Sequence, residues 1–191
     1  MTPLVSSVNS LLSVLTVFAQ IASVVVLMEI VIKKTKGSES SLSRFVSKNY
    51  LLLMFIVALV ATLGSLFYSE VAGFEPCKLC WFQRILMYPQ VLLLGMALWK
   101  KDPSVVKYSI ALSSIGAVIA IYHYLLQRGM APGLPCAAVG YSVNCSKVFV
   151  MNFGYITIPL MAFSAFALIL TLGILNRVQS KPPATNLLNE K

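Results

Sequence analysis

The four cysteines of this chain are the residues best suited to redox chemistry, and they fall into two local pairs. Cys77 and Cys80 form a C-x-x-C sequence, and Cys136 and Cys145 lie nine positions apart. A C-x-x-C disulfide closes a small ring that is readily reduced and re-formed, and its thiols often have a lowered pKa. The spacing is therefore typical of thiol–disulfide exchange at Cys77 and Cys80, with Cys136 and Cys145 as a second candidate pair.

The residues around the C-x-x-C place it at the start of a helix. Pro76 precedes Cys77, and an apolar run begins at Cys80. A cysteine in the first turn of a helix faces the positive end of the helix dipole, which stabilises a thiolate. Arg84 follows Cys80 by four residues and is expected on the same face, one turn later. A thiolate beside a guanidinium predicts a reactive cysteine.

A disulfide that oxidises other thiols must itself be re-oxidised, and a helical membrane setting favours a lipid-soluble electron acceptor. Arg84 is a candidate ligand for a quinone carbonyl, and Trp81 directly follows the C-x-x-C. His123, the only histidine, lies near the C-terminal end of the span 106–126, which is expected on the same side of the membrane as the C-x-x-C. It suits either an interfacial hydrogen bond or proton donation. We therefore take Arg84, His123 and Trp81 as candidate cofactor-binding residues.

Two other interpretations of the cysteines stay open at this point. One is a non-enzymatic membrane protein in which two inert disulfides brace short loops. The other is a metal site built from the four cysteines, with or without His123, since four thiolates make a common structural zinc centre.

The composition indicates which elements hold these residues. Of the 191 residues, 58% are apolar and 11% charged, and the mean hydropathy is +0.84. Soluble domains carry about 45–50% apolar and about 25% charged residues. Lipid offers no partners for bare backbone, and the alternation of a barrel is absent, so the spans must be helices. We predict an all-α integral membrane protein, a four-helix bundle core with one extra N-terminal helix. Its five apolar stretches cover about 9–32, 50–69, 80–99, 106–126 and 154–176.

The positive charges predict the orientation of these spans. Eleven of the fifteen Lys and Arg residues fall on one side: Lys33, Lys34, Lys36, Arg44, Lys48, Lys100, Lys101, Lys107, Arg177, Lys181 and Lys191. The other side has four: Lys78, Arg84, Arg128 and Lys147. Because cytoplasmic loops are enriched in Lys and Arg, the first group is expected in the cytoplasm. The N-terminus and all four cysteines then lie outside, where thiols tend to pair. Charges scattered over short loops do not suggest a nucleic-acid surface.

The chain divides into three segments on this scheme. Residues 1–49 hold the extra N-terminal helix and a basic cytoplasmic loop, 50–176 hold the four-helix redox core, and 177–191 form a disordered cytoplasmic tail. A signal peptide is the alternative for 1–32. That segment lacks a positive start and a cleavage site, and its apolar run is too long, so we expect a retained helix.

The motif Cys77-Lys78-Leu79-Cys80-Trp81-Phe82-Gln83-Arg84 resembles the DsbB/BdbC family of membrane thiol–quinone oxidoreductases. The loop pair at Leu134-Pro135-Cys136 and Asn144-Cys145-Ser146 extends the resemblance, and the stretch Gly154–Pro159 is similar to the BdbC branch. The resemblance covers about 50–176. The extra first helix lies outside it, and the second cysteine pair is closer together than in the best-known members.

The resemblance implies a relay in the bacterial plasma membrane. A thioredoxin-fold extracytoplasmic oxidase similar to DsbA or BdbD would reduce a Cys136–Cys145 disulfide, attacking at Cys136. Electrons would then pass to the Cys77–Cys80 disulfide through attack of Cys145 on Cys77. Cys80 would face the quinone, either ubiquinone or menaquinone. All four cysteines are thus candidate catalytic residues, and disulfide formation in exported proteins is the implied function.

Overall fold

The computed structural model describes residues 3–37, 40–132 and 144–179. Within these ranges the chain forms five long helices, and the only extended pairing is an isolated bridge between Asn152 and Ile156. This arrangement confirms the predicted all-α bundle. The helices are α1 (Pro3–Lys36), α2 (Ser41–Leu66), α3 (Lys78–Lys100), α4 (Val106–Gln127) and α5 (Ile158–Gln179); a π-helical turn (Phe67–Val71) continues α2, and a 3₁₀ turn (Pro103–Val105) precedes α4.

Four segments of the described chain are long and apolar enough to cross a membrane: Pro3–Thr35, Ser41–Val71, Pro103–Gln127 and Ile158–Gln179. The remaining long helix, α3, carries Gln83, Arg84 and Gln90 within its length. Both glutamines are buried inside the bundle. Their polar side chains therefore face protein and not lipid. This set of helices fits a multi-pass membrane protein.

Helix α5 lies at the centre of the bundle, in contact with α1, α2 and α4. In its most apolar stretch 56% of the residues are buried, against 17–28% in the other three apolar segments. Close approach to α4 depends on Gly116, where a Cβ atom would lie 2.4 Å from the ring of Phe166. Small residues at such a crossing allow helices to pack in a membrane, where the hydrophobic effect gives no drive for association.

The last helix differs in its bounds from the predicted span 154–176. Phe153 and Gly154 have φ angles of +51° and +74°, which an α-helix cannot contain, so the helix begins only at Ile158. Pro159 then lies in the first turn, where its missing N–H costs no hydrogen bond. The helix continues to Gln179, past the predicted start of the tail. Residues 180–191 of that tail lie outside the described residues.

Candidate functional site

The C-x-x-C sits at the N-terminus of α3, as the sequence predicts. Cys77 is the N-cap residue, in an extended conformation, and its carbonyl accepts a 3.1 Å hydrogen bond from the N–H of Trp81. The Cys77 thiol lies 3.4 Å from the Cys80 sulfur and donates a hydrogen bond to it. Cys80 therefore receives both this bond and the positive end of the helix dipole, two interactions that stabilise negative charge on its sulfur.

The two sulfurs of the motif are consequently not equivalent. The hydrogen bond to Cys80 and burial raise the pKa of Cys77 to about 12. Cys77 is 3% exposed, whereas Cys80 is partly accessible. The dithiol thus keeps its proton on Cys77 and directs any negative charge to Cys80.

His123 connects this motif to the segment that contains Cys145. Its Nε2 lies 3.0 Å from the Cys145 carbonyl oxygen and 3.6 Å from the Cys77 sulfur, and its Nδ1 lies 3.0 Å from Nε2 of Gln83. A carbonyl oxygen only accepts and an amide nitrogen only donates. These contacts therefore require the tautomer with its proton on Nε2. His123 is 1% exposed and bridges the two cysteine-bearing segments.

Cys145 packs directly against the C-x-x-C. It is 1% exposed and belongs to a buried cluster with Cys77, Leu79 and Leu126. The segment that carries it is held to the end of α4 by a 3.0 Å hydrogen bond from Gln127 to the Lys147 carbonyl. The structure thus brings three of the four predicted catalytic cysteines together. Cys136 lies outside the described residues.

Arg84 lies on the other side of Cys80, held by α2. Its Nε donates to Ser65 Oγ at 3.1 Å, and its Nη2 donates to the Ser65 carbonyl at 3.1 Å. Tyr88, one turn further along α3, also donates to Ser65 Oγ at 3.1 Å. The guanidinium carbon lies 5.3 Å from the ring centre of Trp81, within cation–π range. Ser65 takes up two of the five N–H donors of the guanidinium.

A cavity of about 390 Å³ opens beside Cys80 and Arg84, between α1, α2, α3 and α5. This volume is in the range of small-molecule sites. Arg84, Ser65 and Tyr88 line it near Cys80, and the other polar lining residues are Thr16, Tyr68, Glu75 and Gln83. The walls beyond are apolar and include Ala19, Ala22, Ile56, Val57, Ala162 and Leu168. The shape and chemistry fit a ligand with a polar head and an apolar tail, such as a quinone.

Of the three predicted cofactor-binding residues, only Arg84 lines this cavity. Trp81 contacts Arg84, and 54% of its surface is exposed. His123 lies on the cysteine side, away from the cavity. Sequence reasoning missed Ser65 and Tyr88. The i, i+4 spacing of Arg84 and Tyr88 was available as a signal for Tyr88, whereas nothing local indicated Ser65.

The cluster of Cys77, Cys80 and His123 also bears on whether these residues form a metal site. The ligand atoms of Cys77, Cys80 and His123 lie within 4.8 Å of one another. A metal bound through Nε2 would require that this nitrogen lose its proton and its hydrogen bond to the Cys145 carbonyl. The proton would move to Nδ1, which faces the donor group of Gln83. The hydrogen bonds around His123 thus oppose a metal ligand at this position.

Comparisons with known proteins place this chain among disulfide bond formation proteins. A sequence profile described as Disulfide bond formation protein DsbB matches residues 47–176. The chain is 48% identical over 123 residues to Disulfide bond formation protein C of Bacillus subtilis (strain 168), covering 63% of this chain and 87% of that protein. It is 42% identical over 134 residues to the SPbeta prophage-derived disulfide bond formation protein B of the same strain, covering 70% and 89%.

A third relative, Probable disulfide formation protein C 1 of Bacillus anthracis, is 50% identical over 107 residues, 56% of this chain and 76% of its own length. No solved structure matches the chain significantly. The profile match runs from the first turns of α2 into α5 and so includes the C-x-x-C, Arg84 and His123. The chain therefore belongs to the DsbB family of disulfide bond formation proteins, membrane oxidoreductases that form disulfide bonds.

Proposed function

We propose that this protein is a membrane thiol:quinone oxidoreductase that re-oxidises an extracytoplasmic thioredoxin-fold oxidase similar to DsbA or BdbD. The observation that carries the proposal is the position of Cys80. Its side chain lines the apolar cavity together with Arg84, and it also lines a small cleft shared with Cys77, Cys145 and His123. One sulfur thus faces both a thiol relay and a site for an apolar electron acceptor.

In the proposed relay, the number of disulfide bonds stays the same at each thiol–disulfide exchange. The reduced partner attacks the Cys136–Cys145 disulfide at Cys136, and its second thiol resolves the mixed disulfide. One S–S bond breaks as another forms, so the partner loses two electrons and the loop pair gains them. Cys145 then attacks Cys77 in the Cys77–Cys80 disulfide. Attack at Cys77 forms a Cys77–Cys145 disulfide as the Cys77–Cys80 bond breaks, so Cys80 is the leaving thiolate. A leaving sulfur with a stabilised negative charge departs faster.

The geometry around His123 supports attack at Cys77. Nε2 bonds the Cys145 carbonyl and lies 3.6 Å from the Cys77 sulfur, which keeps the backbone of one cysteine beside the sulfur of the other. We assign His123 as a positioning residue for this exchange. Close alignment of the reacting sulfurs is the main requirement of thiol–disulfide exchange.

The cavity supports the quinone end of the proposal. When bound, a quinone would supply a two-electron, two-proton acceptor. Arg84 and Tyr88 would hold its polar ring beside Cys80, and the cation–π contact of Trp81 would support the guanidinium of Arg84. The apolar walls would take the tail of either ubiquinone or menaquinone.

The proposed orientation places the cysteines outside the cell. Lys100 and Lys101 lie at the end of α3 opposite the C-x-x-C, and Lys33 and Lys34 lie near the far end of α1. This distribution agrees with the excess of positive charge that marks cytoplasmic loops. The N-terminus would then be extracytoplasmic and the C-terminus cytoplasmic.

The direct test uses purified protein, a reduced thioredoxin-fold partner and a soluble quinone analogue. We expect Cys80→Ser to abolish quinone reduction, because the sulfur shared by the two sites is lost. Formation of the mixed disulfide with the partner should persist, which serves as the internal control for folding. Undiminished quinone reduction by Cys80→Ser would contradict the proposed function.

A further inference from the structure

We infer that α1, which lies outside the residues matched by the family, forms one wall of the acceptor cavity and selects acceptors by the length of their apolar tail. This inference rests on the proposed function. Six residues of α1 line the cavity: Leu12, Leu15, Thr16, Phe18, Ala19 and Ala22. They approach the same space as Ser65, Cys80 and Arg84.

Helix α1 is an integral part of the bundle, and a network of buried hydrogen bonds holds it in place. Tyr68 donates to Oδ1 of Asn9 at 2.9 Å, and Nδ2 of Asn9 donates to Oδ1 of Asn152 at 3.3 Å. Nδ2 of Asn152 in turn donates to Ser13 Oγ at 2.7 Å. Ser13 is fully buried, and Asn9 nearly so. Because unpaired buried amides are costly, this network fixes both the rotation and the height of α1.

Helix α1 packs mainly on α5 and makes far fewer contacts with α2, and the cavity lies between α1 and α2. Packing along α5 is continuous, and Gln20 donates to Ser164 of that helix at 3.2 Å. Toward α2, Leu12 seats on Gly64, where a Cβ atom would lie 3.3 Å from both methyl carbons of Leu12. Leu12 and Gly64 line the cavity next to Ser65, and the lining continues along α1 as far as Ala22.

The position of α1 along the cavity means that α1 would contact the apolar tail of a bound ligand. From Leu12 to Ala22 the helix rises about 15 Å, which is about half of the hydrocarbon thickness of a bilayer. The head end is formed by α2 and α3, through Ser65 and Arg84. Phe18 lines the cavity and is also 63% exposed, so it stands at the edge where the cavity meets lipid.

The test compares two substitutions on α1 and two quinones. Ala19→Phe places a ring in the cavity, whereas Ile21→Phe, the matched control, changes a residue that is 55% exposed and outside the lining. The probes are menaquinone-4 and menaquinone-1, which share one ring and differ in tail length. Equilibrium binding is measured by calorimetry on the purified full-length protein, so the result does not depend on turnover.

We expect Ala19→Phe to weaken binding of menaquinone-4 by about tenfold, a loss of about 1.4 kcal/mol, because overfilling a packed cavity excludes the tail. Binding of menaquinone-1 should change less than about twofold, and Ile21→Phe should bind both as the unaltered protein does. Ala22→Phe, deeper in the cavity, should show the same selectivity and provides a second variant if the first does not fold.

Equal binding of menaquinone-4 by Ala19→Phe, Ala22→Phe and the unaltered protein would overturn the inference about α1 alone. Equal weakening of both quinones would also overturn it, because α1 would then act on the ring. Failure of the unaltered protein to bind either quinone would overturn the proposed function, and the inference with it.

Discussion

The two sides of the C-x-x-C differ in packing although they meet at one turn of helix. On the side of Cys77, a buried histidine and the Cys145 segment leave little free space, and their polar atoms are paired. On the side of Arg84, a cavity of about 390 Å³ extends between four helices. Cys80 borders both.

The difference is the one that the proposed function requires of the two sides. Exchange between sulfurs needs a thiolate in line with a disulfide, and a packed, hydrogen-bonded setting fixes that alignment. A lipid-soluble acceptor needs volume and an apolar wall, with polar groups only at its head. Placing two cysteines three residues apart at a helix N-terminus lets Cys77 face the packed side alone while Cys80 borders both environments.

The strongest way to break the comparison is to remove the C-x-x-C sulfur that lies on the packed side alone. Cys77→Ser should reduce turnover with the partner to background, because Cys145 loses the sulfur that it attacks. Quinone binding should be retained, since Cys77 does not line the cavity. Parallel measurements of turnover and quinone affinity check this, and substantial turnover would contradict the proposed order of exchange.

The unequal protonation of the two thiols gives the next largest effect. With its pKa raised from 9.0 to about 12, Cys77 should have a thiolate fraction near pH 8 about a thousandfold below that of an ordinary cysteine. Iodoacetamide should therefore modify Cys80 well before Cys77 in the reduced protein. Mass spectrometry of timed samples from pH 7 to pH 10 follows both sites.

The same pKa predicts the sign of a stability effect. Because the folded-state pKa of Cys77 is above its unfolded value, its contribution to stability is complete below about pH 9 and is lost as the pH rises toward 12. The reduced protein should therefore lose stability in that alkaline window. In the alkylation experiment above, equal iodoacetamide modification of Cys77 and Cys80 from pH 7 to pH 10 would contradict their inequivalence.

Changing the cavity side alone should have a smaller effect. We expect Arg84→His to raise the apparent KM for quinone by about tenfold to a hundredfold, because hydrogen bonds to a charged group contribute about 1.5–3 kcal/mol. The rate of mixed-disulfide formation should be unchanged. Arg177→His, in the last turn of α5, is the matched control. An unaltered KM in Arg84→His would remove this residue from the acceptor site.

The smallest expected effect concerns the packed side. His123→Phe removes the buried hydrogen bonds that His123 makes with the Gln83 amide and the Cys145 carbonyl, and disrupting such a bond costs about 1–3 kcal/mol. The unfolding midpoint should fall, and exchange between the cysteine pairs should slow while quinone affinity is kept. Tyr122→Phe, which removes only an exposed hydrogen bond to the Pro132 carbonyl, provides the comparison. Equal effects of the two variants would argue against a positioning role for His123.

Much of the fold and part of the site could be predicted because they depend on local order along the chain. The apolar stretches predict the helices, and Pro76 with the apolar run predicts that α3 begins at the C-x-x-C. The four-residue spacing puts Arg84 on the side of Cys80. The start of α5 was predicted four residues too early, because the turn at Phe153 and Gly154 interrupts an apolar run without changing its hydropathy.

The remaining features depend on contacts between residues that are far apart in sequence. Arg84 meets Ser65 across 19 positions, His123 meets Gln83 across 40, and Asn9 meets Asn152 across 143. No periodicity encodes such pairs, because they are set by how the helices cross and rotate against one another. For the same reason α1 could be predicted as a helix, but its place at the cavity could not.

The sequence alone thus specified the chemistry that is available: a membrane helix bundle, a C-x-x-C at a helix start and an arginine one turn away. Only the packing of the five helices decided how that chemistry is divided. It placed His123 with the cysteines and opened the cavity beside Cys80, with α1 as one of its walls. The physical reason is that a helical turn is fixed by bonds between near neighbours, whereas a site between helices is fixed by side-chain shapes and polar pairs contributed by all of them.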